Sequence, residues 1–307
     1  MPSPQPRQNA RAALLIALAG FFSLSIGDAL VKSMAGQWPA PAVAALRYSF
    51  GALGLGMLVA IRCGRAGFVL PRPALQMGRG AAVALATLCF FAGVYAMPLA
   101  DATAIQFTSP IMTALLSPLV LGERTSRATW GATLLAFFGV LIVLRPNVME
   151  LGAAAFFPVG AAFGMSWLMM FNRKAAGDAP VVVMQFLLAL FAAPLLVAGA
   201  AAYGALFEPI AWPSAVVVAK CLAVAFFATL GHGLIFAAVE RADASVVAPM
   251  TYVQLLVAAG IGWSWFGDAP DLATFGGAAL IIAGGLLLWR AQKARSATAA
   301  PDEGMAG

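Results

Sequence analysis

The sequence predicts an all-α integral membrane protein of ten transmembrane helices, built as two inverted five-helix repeats. Three observations carry this. The 307 residues are 62% hydrophobic and only 10% charged, with mean hydropathy +0.92, whereas soluble domains carry roughly a quarter charged residues. The apolar residues fall into ten runs separated by short polar or proline-rich connectors. The second five runs repeat the plan of the first five.

A helix needs ~20 apolar residues to cross the hydrocarbon core. Runs of suitable length occur at 12–34, 41–61, 74–97, 102–121, 129–144, 151–172, 181–202, 214–239, 245–266 and 272–289. The connectors are short, and no stretch is left for a soluble domain. The first run is longer than the apolar core of a signal peptide, and Asp28 and Lys32 stand where a cleavage site would be needed. It therefore reads as a retained first helix. The expected organisation is a tail at 1–10, a first repeat at 11–145, a second at 150–290 and a tail at 291–307. Both tails, MPSPQPRQN and QKARSATAAPDEGMAG, have a polar, disordered composition.

The net charge is +6, but the basic residues flank apolar runs instead of forming one stripe. They read as topology signals and not as a nucleic-acid surface. With the N-terminus in the cytoplasm, fourteen of the eighteen Lys and Arg lie inside. The other four, Lys32, Arg47, Arg145 and Lys220, lie outside or near the outer ends. This bias predicts a multi-pass protein of the inner or plasma membrane with both termini cytoplasmic. Cys63, Cys89 and Cys221 are scattered and His232 is the sole histidine, so neither a disulfide framework nor a metal site is expected. There is no P-loop, no GxGxxG in a strand–helix setting and no HExxH. No cofactor and no enzymatic activity are expected.

The repeat is visible at a shift of about 145 residues. GERTSRATWGATLLAFFGVLIVLR, from Gly122 to Arg145, aligns with GDAPDLATFGGAALIIAGGLLLWR, from Gly267 to Arg290, with eight of 24 positions identical. Upstream, ADAT at Ala100 matches ADAS at Ala242. Each repeat holds five helices, an odd number, so the second must insert upside down relative to the first. The loops agree: ERTSR is basic, while its partner DAPD is acidic. Inverted repeats are a signature of carriers, in which two halves rock about a site at mid-membrane.

The paired ADAT and ADAS segments, the turns Leu121-Gly122-Glu123 and Phe266-Gly267-Asp268, the glycine-rich fifth and tenth helices, and ASVVAPMTYVQLLVAAGIGWSWFGD together resemble the ten-helix proteins of the drug/metabolite transporter superfamily with paired EamA-type repeats. The likeness covers residues 12–290. It implies secondary transport of a small metabolite such as an amino acid, nucleoside, vitamin or drug, in either direction. It also implies a central cavity between two bundles, with the fifth and tenth helices at the periphery, where two copies can pair. Asp268 stands where many members carry Glu.

Charges at membrane depth are expensive and face partners or water. Asp28 and Lys32 share a face of the first helix, with Arg47 at similar depth on the second. They read either as a local ion pair fixing two helices or as a charged mouth of the cavity. His232, between Gly231 and Gly233, reads as a structural hydrogen-bonding group or as a substrate contact and proton switch. Asp28 is the other proton-coupling candidate. Tyr95, Gln106, Trp167, Tyr252 and Gln254 are polar or amphipathic groups expected to face the interior. A polytopic membrane enzyme, or a passive channel or sensor with the same cavity, is the alternative to a carrier.

Overall fold

The computed structural model describes residues 10–121, 127–239 and 250–298. Among them there is no strand; the helices are α1 Ala10–Lys32, α2 Ala40–Cys63, α3 Pro73–Ala96, α4 Leu99–Gln106, α5 Ser109–Leu121, α6 Arg127–Leu151, α7 Phe157–Lys174, α8 Val181–Leu206, α9 Ala215–Val239, α10 Thr251–Phe266 and α11 Leu272–Thr298. Six segments are by themselves long and apolar enough to cross a bilayer. The ends of successive crossings alternate between two faces, one marked by Lys32 and the other by Arg72.

Helix ends follow from local chemistry. Pro39 is extended, and Pro41 sits in the first turn of α2, where its missing N–H costs nothing. Gly267, at φ 73°, closes α10 in a left-handed turn. Asp271 Oδ1 accepts the Thr274 amide at 2.6 Å and caps α11.

Two elements differ from the sequence expectation. The run at 102–121 is not one helix: α4 stops at Gln106 and α5 restarts at Ser109. Pro110 has no N–H for the Gln106 carbonyl. Thr108 Oγ1 instead donates to the Ile105 carbonyl at 2.7 Å. The run at 151–172 begins its α-helix only at Phe157, with Pro158 in the first turn of α7. The counterpart of the α4–α5 break in the second repeat falls at 240–249, outside the described residues.

Packing repeats across a pseudo-two-fold axis. α1 packs on α9, and α7, its counterpart, packs on α3; α2 packs on α8; α6 packs on α11. The crossings match at the residue level. A Cβ on Gly139 would lie 2.7 Å from the Gly277 carbonyl and 2.8 Å from Ile281. A Cβ on Gly284, the partner of Gly139 in the repeat, would lie 2.8 Å from the Ala132 carbonyl and 3.1 Å from Ala136. Residues 277 and 281 are the counterparts of 132 and 136. Likewise Gly20 seats against Gly231 and Ile235, while Gly164 seats against Ala82 and Ala86. Small residues let the backbones approach where lipid gives no hydrophobic drive between helices.

The outer surface is apolar, with Leu15, Leu53, Met57, Phe137, Leu195 and Phe226 exposed. This is the surface a bilayer solvates.

Candidate functional site

Polar groups on α1 tie it to the second repeat. Ser23 Oγ donates to the Phe227 carbonyl of α9 at 3.0 Å, and Ser25 Oγ to the Gln254 carbonyl of α10 at 3.2 Å. Gln254 Nε2 donates to Asp28 Oδ2 at 2.9 Å. Asp28 is thus held by an amide and not by Lys32. Lys32 extends to the membrane end, where Nζ meets Asp268 Oδ2 at 2.6 Å, donates to the Met97 carbonyl at 2.8 Å and lies 5.4 Å from the Phe266 ring centre. The local Asp28–Lys32 pair suggested by their spacing is not formed. A lysine near a helix end snorkels toward the interface, and the partner it finds there comes from the other repeat.

Arg47 sits two turns into α2, half-buried. Its guanidinium lies 4.7 Å from the centre of the Tyr48 ring and 5.6 Å from that of Phe91. It makes no ion pair or hydrogen bond with any described residue. His232 has an exposed ring on α9, beside Gly231, which is packed on α1. Ser23, Ser25, Asp28 and Gln254 therefore form one polar cluster between α1, α9 and α10.

The other residues expected to face the interior have these neighbours. The Tyr95 hydroxyl donates to the Trp38 carbonyl at 3.1 Å. Trp167 lies between Phe163 and Phe171, at ring distances of 6.3 and 5.6 Å. Tyr252 meets Phe107 edge-on at 6.0 Å, and its hydroxyl fills the space over Gly285, where a Cβ would lie 1.6 Å away. Gln106 is half-buried at the break after α4.

Two buried groups escape a reading by charge alone. Arg79, expected as a cytoplasmic topology charge, is buried; it donates to Asn172 Oδ1 at 2.7 Å, Gln76 Oε1 at 2.6 Å and the Met184 carbonyl at 3.3 Å. Asp101 of ADAT, expected at a connector, lies buried inside α4 and accepts Thr274 Oγ1 of α11 at 2.6 Å. The i,i+3 spacing of Gln76 and Arg79 was the available signal for the first. Nearby, Arg72 pairs with Asp178 and reaches the Lys174 carbonyl. A cleft of about 380 Å³ lies between α2 and α8, lined by Trp38, Ala42, Ala45, Val197, Ala200 and other mostly apolar residues. It is separate from the polar cluster. No group of three metal-ligating side chains gathers among the described residues.

The model of the EamA-like transporter family matches twice, at residues 11–145 and 152–290. The chain belongs to the EamA-like transporter family. Its relatives include the pseudopaline exporter CntI of Pseudomonas aeruginosa, 29% identical over 92% of this chain and 98% of that protein. A riboflavin transporter of Rhizobium johnstonii is 29% identical over 95% of each. An S-adenosylmethionine uptake transporter of Rickettsia bellii is 25% identical over 90% of this chain and 92% of its own. One solved crystal structure superposes with TM-score 0.56 at 22% identity, covering 92% of this chain and 99% of the other. These findings make the protein a ten-helix membrane transporter of two EamA repeats.

Proposed function

We infer that this EamA-family protein is a secondary carrier for a small polar or amphipathic metabolite, working by alternating access. One observation carries this. The intramembrane polar cluster is built from both repeats: Ser23, Ser25 and Asp28 from the first meet the Phe227 carbonyl and Gln254 of the second. Rocking one repeat against the other opens the cluster to each face in turn. The relatives' names include an exporter and an uptake protein, which supports transport and leaves direction to the assay. Among the described residues no nucleophile–base pair meets this cluster, and the relatives are named as transporters, so a membrane enzyme is the weaker reading.

The test is counter-flow in proteoliposomes across a metabolite panel. Saturable exchange is expected; continuous, unsaturable flux would mark a channel. The charge bias supports both termini in the cytoplasm of the inner or plasma membrane, checked by topology reporters fused to each end. Two copies would pair through outward faces of α6 and α11, where Trp130, Phe138 and Phe275 are exposed, since the facing glycines are used within the chain. Cross-linking in native membranes checks this.

A further inference from the structure

We propose that the cleft between α2 and α8 holds one acyl chain of a membrane phospholipid with an ammonium headgroup, and that Glu208 at its mouth receives the ammonium.

The cleft is the counterpart of a filled site. Pro39 and Pro180, both extended, precede α2 and α8 at equivalent points of the two repeats, which places matching positions 141 residues apart. At the Arg72 end of the α2–α8 seam, Val59, Val183 and Phe186 are buried together, with Cys63 packed on them. The Phe186 ring reaches to 3.1 Å from where a Cβ on Gly56 would lie, and Phe68 of the next connector meets it edge-on at 5.6 Å. At the Lys32 end the matching positions are Ala200, Ala42, Ala45 and Gly204. All four line the cleft. Where one end of the seam has two valines, a phenylalanine and a cysteine, the other has three alanines and a glycine, and about 380 Å³ stands open.

The walls decide what fills it. Their polar side chains are already used: the Trp38 indole donates to the Ala211 carbonyl at 2.9 Å, and Ser49 Oγ to the Ala45 carbonyl at 2.8 Å. A trapped water needs about two to four polar partners, and the cleft does not supply them. Helices in lipid are held by van der Waals packing, and an unfilled gap forfeits that contact. Val197 and Ala201, on the rim, belong to the exposed apolar surface. The cleft therefore opens to the bilayer, and hydrocarbon is the matching filler.

The mouth decides the headgroup. It lies at the membrane end marked by Lys32, where Trp212 is 97% exposed, as aromatic residues at the lipid–water boundary are. Ile210 of the α8–α9 connector lines the cleft, and exposed Glu208 lies two residues before it. Glu208 Oε1 accepts the Tyr203 hydroxyl at 3.1 Å; no described residue donates to its other oxygen. The nearby cations are engaged elsewhere. Lys32 pairs with Asp268, Lys220 bonds the Ser33 carbonyl, and Arg47 lies over the Tyr48 and Phe91 rings. A carboxylate with no competing cation favours an ammonium headgroup over a purely anionic one.

The full chain in detergent is loaded with a phosphatidylethanolamine carrying a diazirine in its acyl chain, illuminated and digested. Label is expected within 38–49 and 197–204. Label confined to the outer surface around Leu53, Met57 and Leu195 overturns the proposal. Native mass spectrometry then compares phosphatidylethanolamine with phosphatidylglycerol of the same chains. One phosphatidylethanolamine per chain is expected, favoured about tenfold, as one charged hydrogen bond predicts. Glu208→Gln should level that preference while a lipid stays bound. Ala45→Phe supplies the ring that Phe186 places at the other end, and should abolish labelling of the cleft with thermal unfolding unchanged or raised. If Ala45→Phe does not fold, the position of the label on the native chain still decides. Equal retention of the two lipids by the native chain, or cleft labelling unchanged in a folded Ala45→Phe, overturns the proposal. A dimer that survives delipidation and separates in Ala45→Phe gives the cleft to a second copy and overturns it as well.

Discussion

At the residue scale, ion pairing is the most instructive feature. Lys32 and Asp268 have side chains 13% and 27% exposed, so their attraction is only partly screened by water. Lys32→Met and Asp268→Asn should each lower thermal stability in detergent. The double mutant should cost less than the sum, with a coupling of about 1 kcal/mol. A coupling indistinguishable from zero would mean the pair is incidental. Asp28→Asn is a different kind of change. The amide oxygen still accepts from Gln254, so the fold should survive, but the charge is gone. Saturable counter-flow in proteoliposomes should fall about tenfold or more.

At the element scale, glycine spacing separates the helix faces that pack within the chain from those that do not. A Cβ on Gly277 would lie 2.4 Å from Val143 Cγ2 and 2.6 Å from the Gly139 carbonyl. Gly277→Ala therefore pushes α6 and α11 apart and should cost about 1–3 kcal/mol. Gly276, its neighbour in sequence, has nothing within 4 Å of its Cβ position. Gly276→Ala should be neutral or stabilising by up to about 1 kcal/mol, from helix propensity alone. Thermal unfolding of the two variants side by side decides whether this crossing is tight. Much at this scale was legible in sequence. The apolar runs marked the helices, and the repeat aligned Gly139 with Gly284, but that these two glycines seat α6 and α11 against each other within one chain emerges only from the packing. The α4–α5 break was legible only as a proline, because Pro110 at a helix start and Pro118 within α5 look alike until the carbonyl partners are known. Which polar groups meet was not legible at all. Asp28 meeting Gln254, 226 residues away, depends on how α1 lies between α9 and α10, and no local spacing encodes that.

At the scale of the whole molecule, both faces carry contacts that cross between repeats. On one face lie Lys32–Asp268, the Trp38 indole donating to the Ala211 carbonyl at 2.9 Å, and Lys220 Nζ donating to the Ser33 carbonyl at 3.2 Å. On the other lie Arg72–Asp178 and the Arg79 bonds to Asn172 and Met184. Alternating access requires these two sets to be coupled: loosening one favours the state in which the other stays shut. Cys221 reports on this. Its sulfur is buried 3.8 Å from Met34 Sδ, behind the Lys220–Ser33 contact. Parting of α1 from the start of α9 exposes it. In a Cys63→Ser, Cys89→Ser background, a maleimide should label Cys221 faster after Lys32→Ala, by a few-fold if a contact of about 1 kcal/mol is lost. Arg72→Ala, at the opposite face and the far end of the bundle, should slow that labelling, because it draws population to the state open at its own face. In a channel or sensor with independent gates, Arg72→Ala leaves labelling of Cys221 unchanged. The sign of that remote effect therefore separates a carrier from a channel without any knowledge of the substrate.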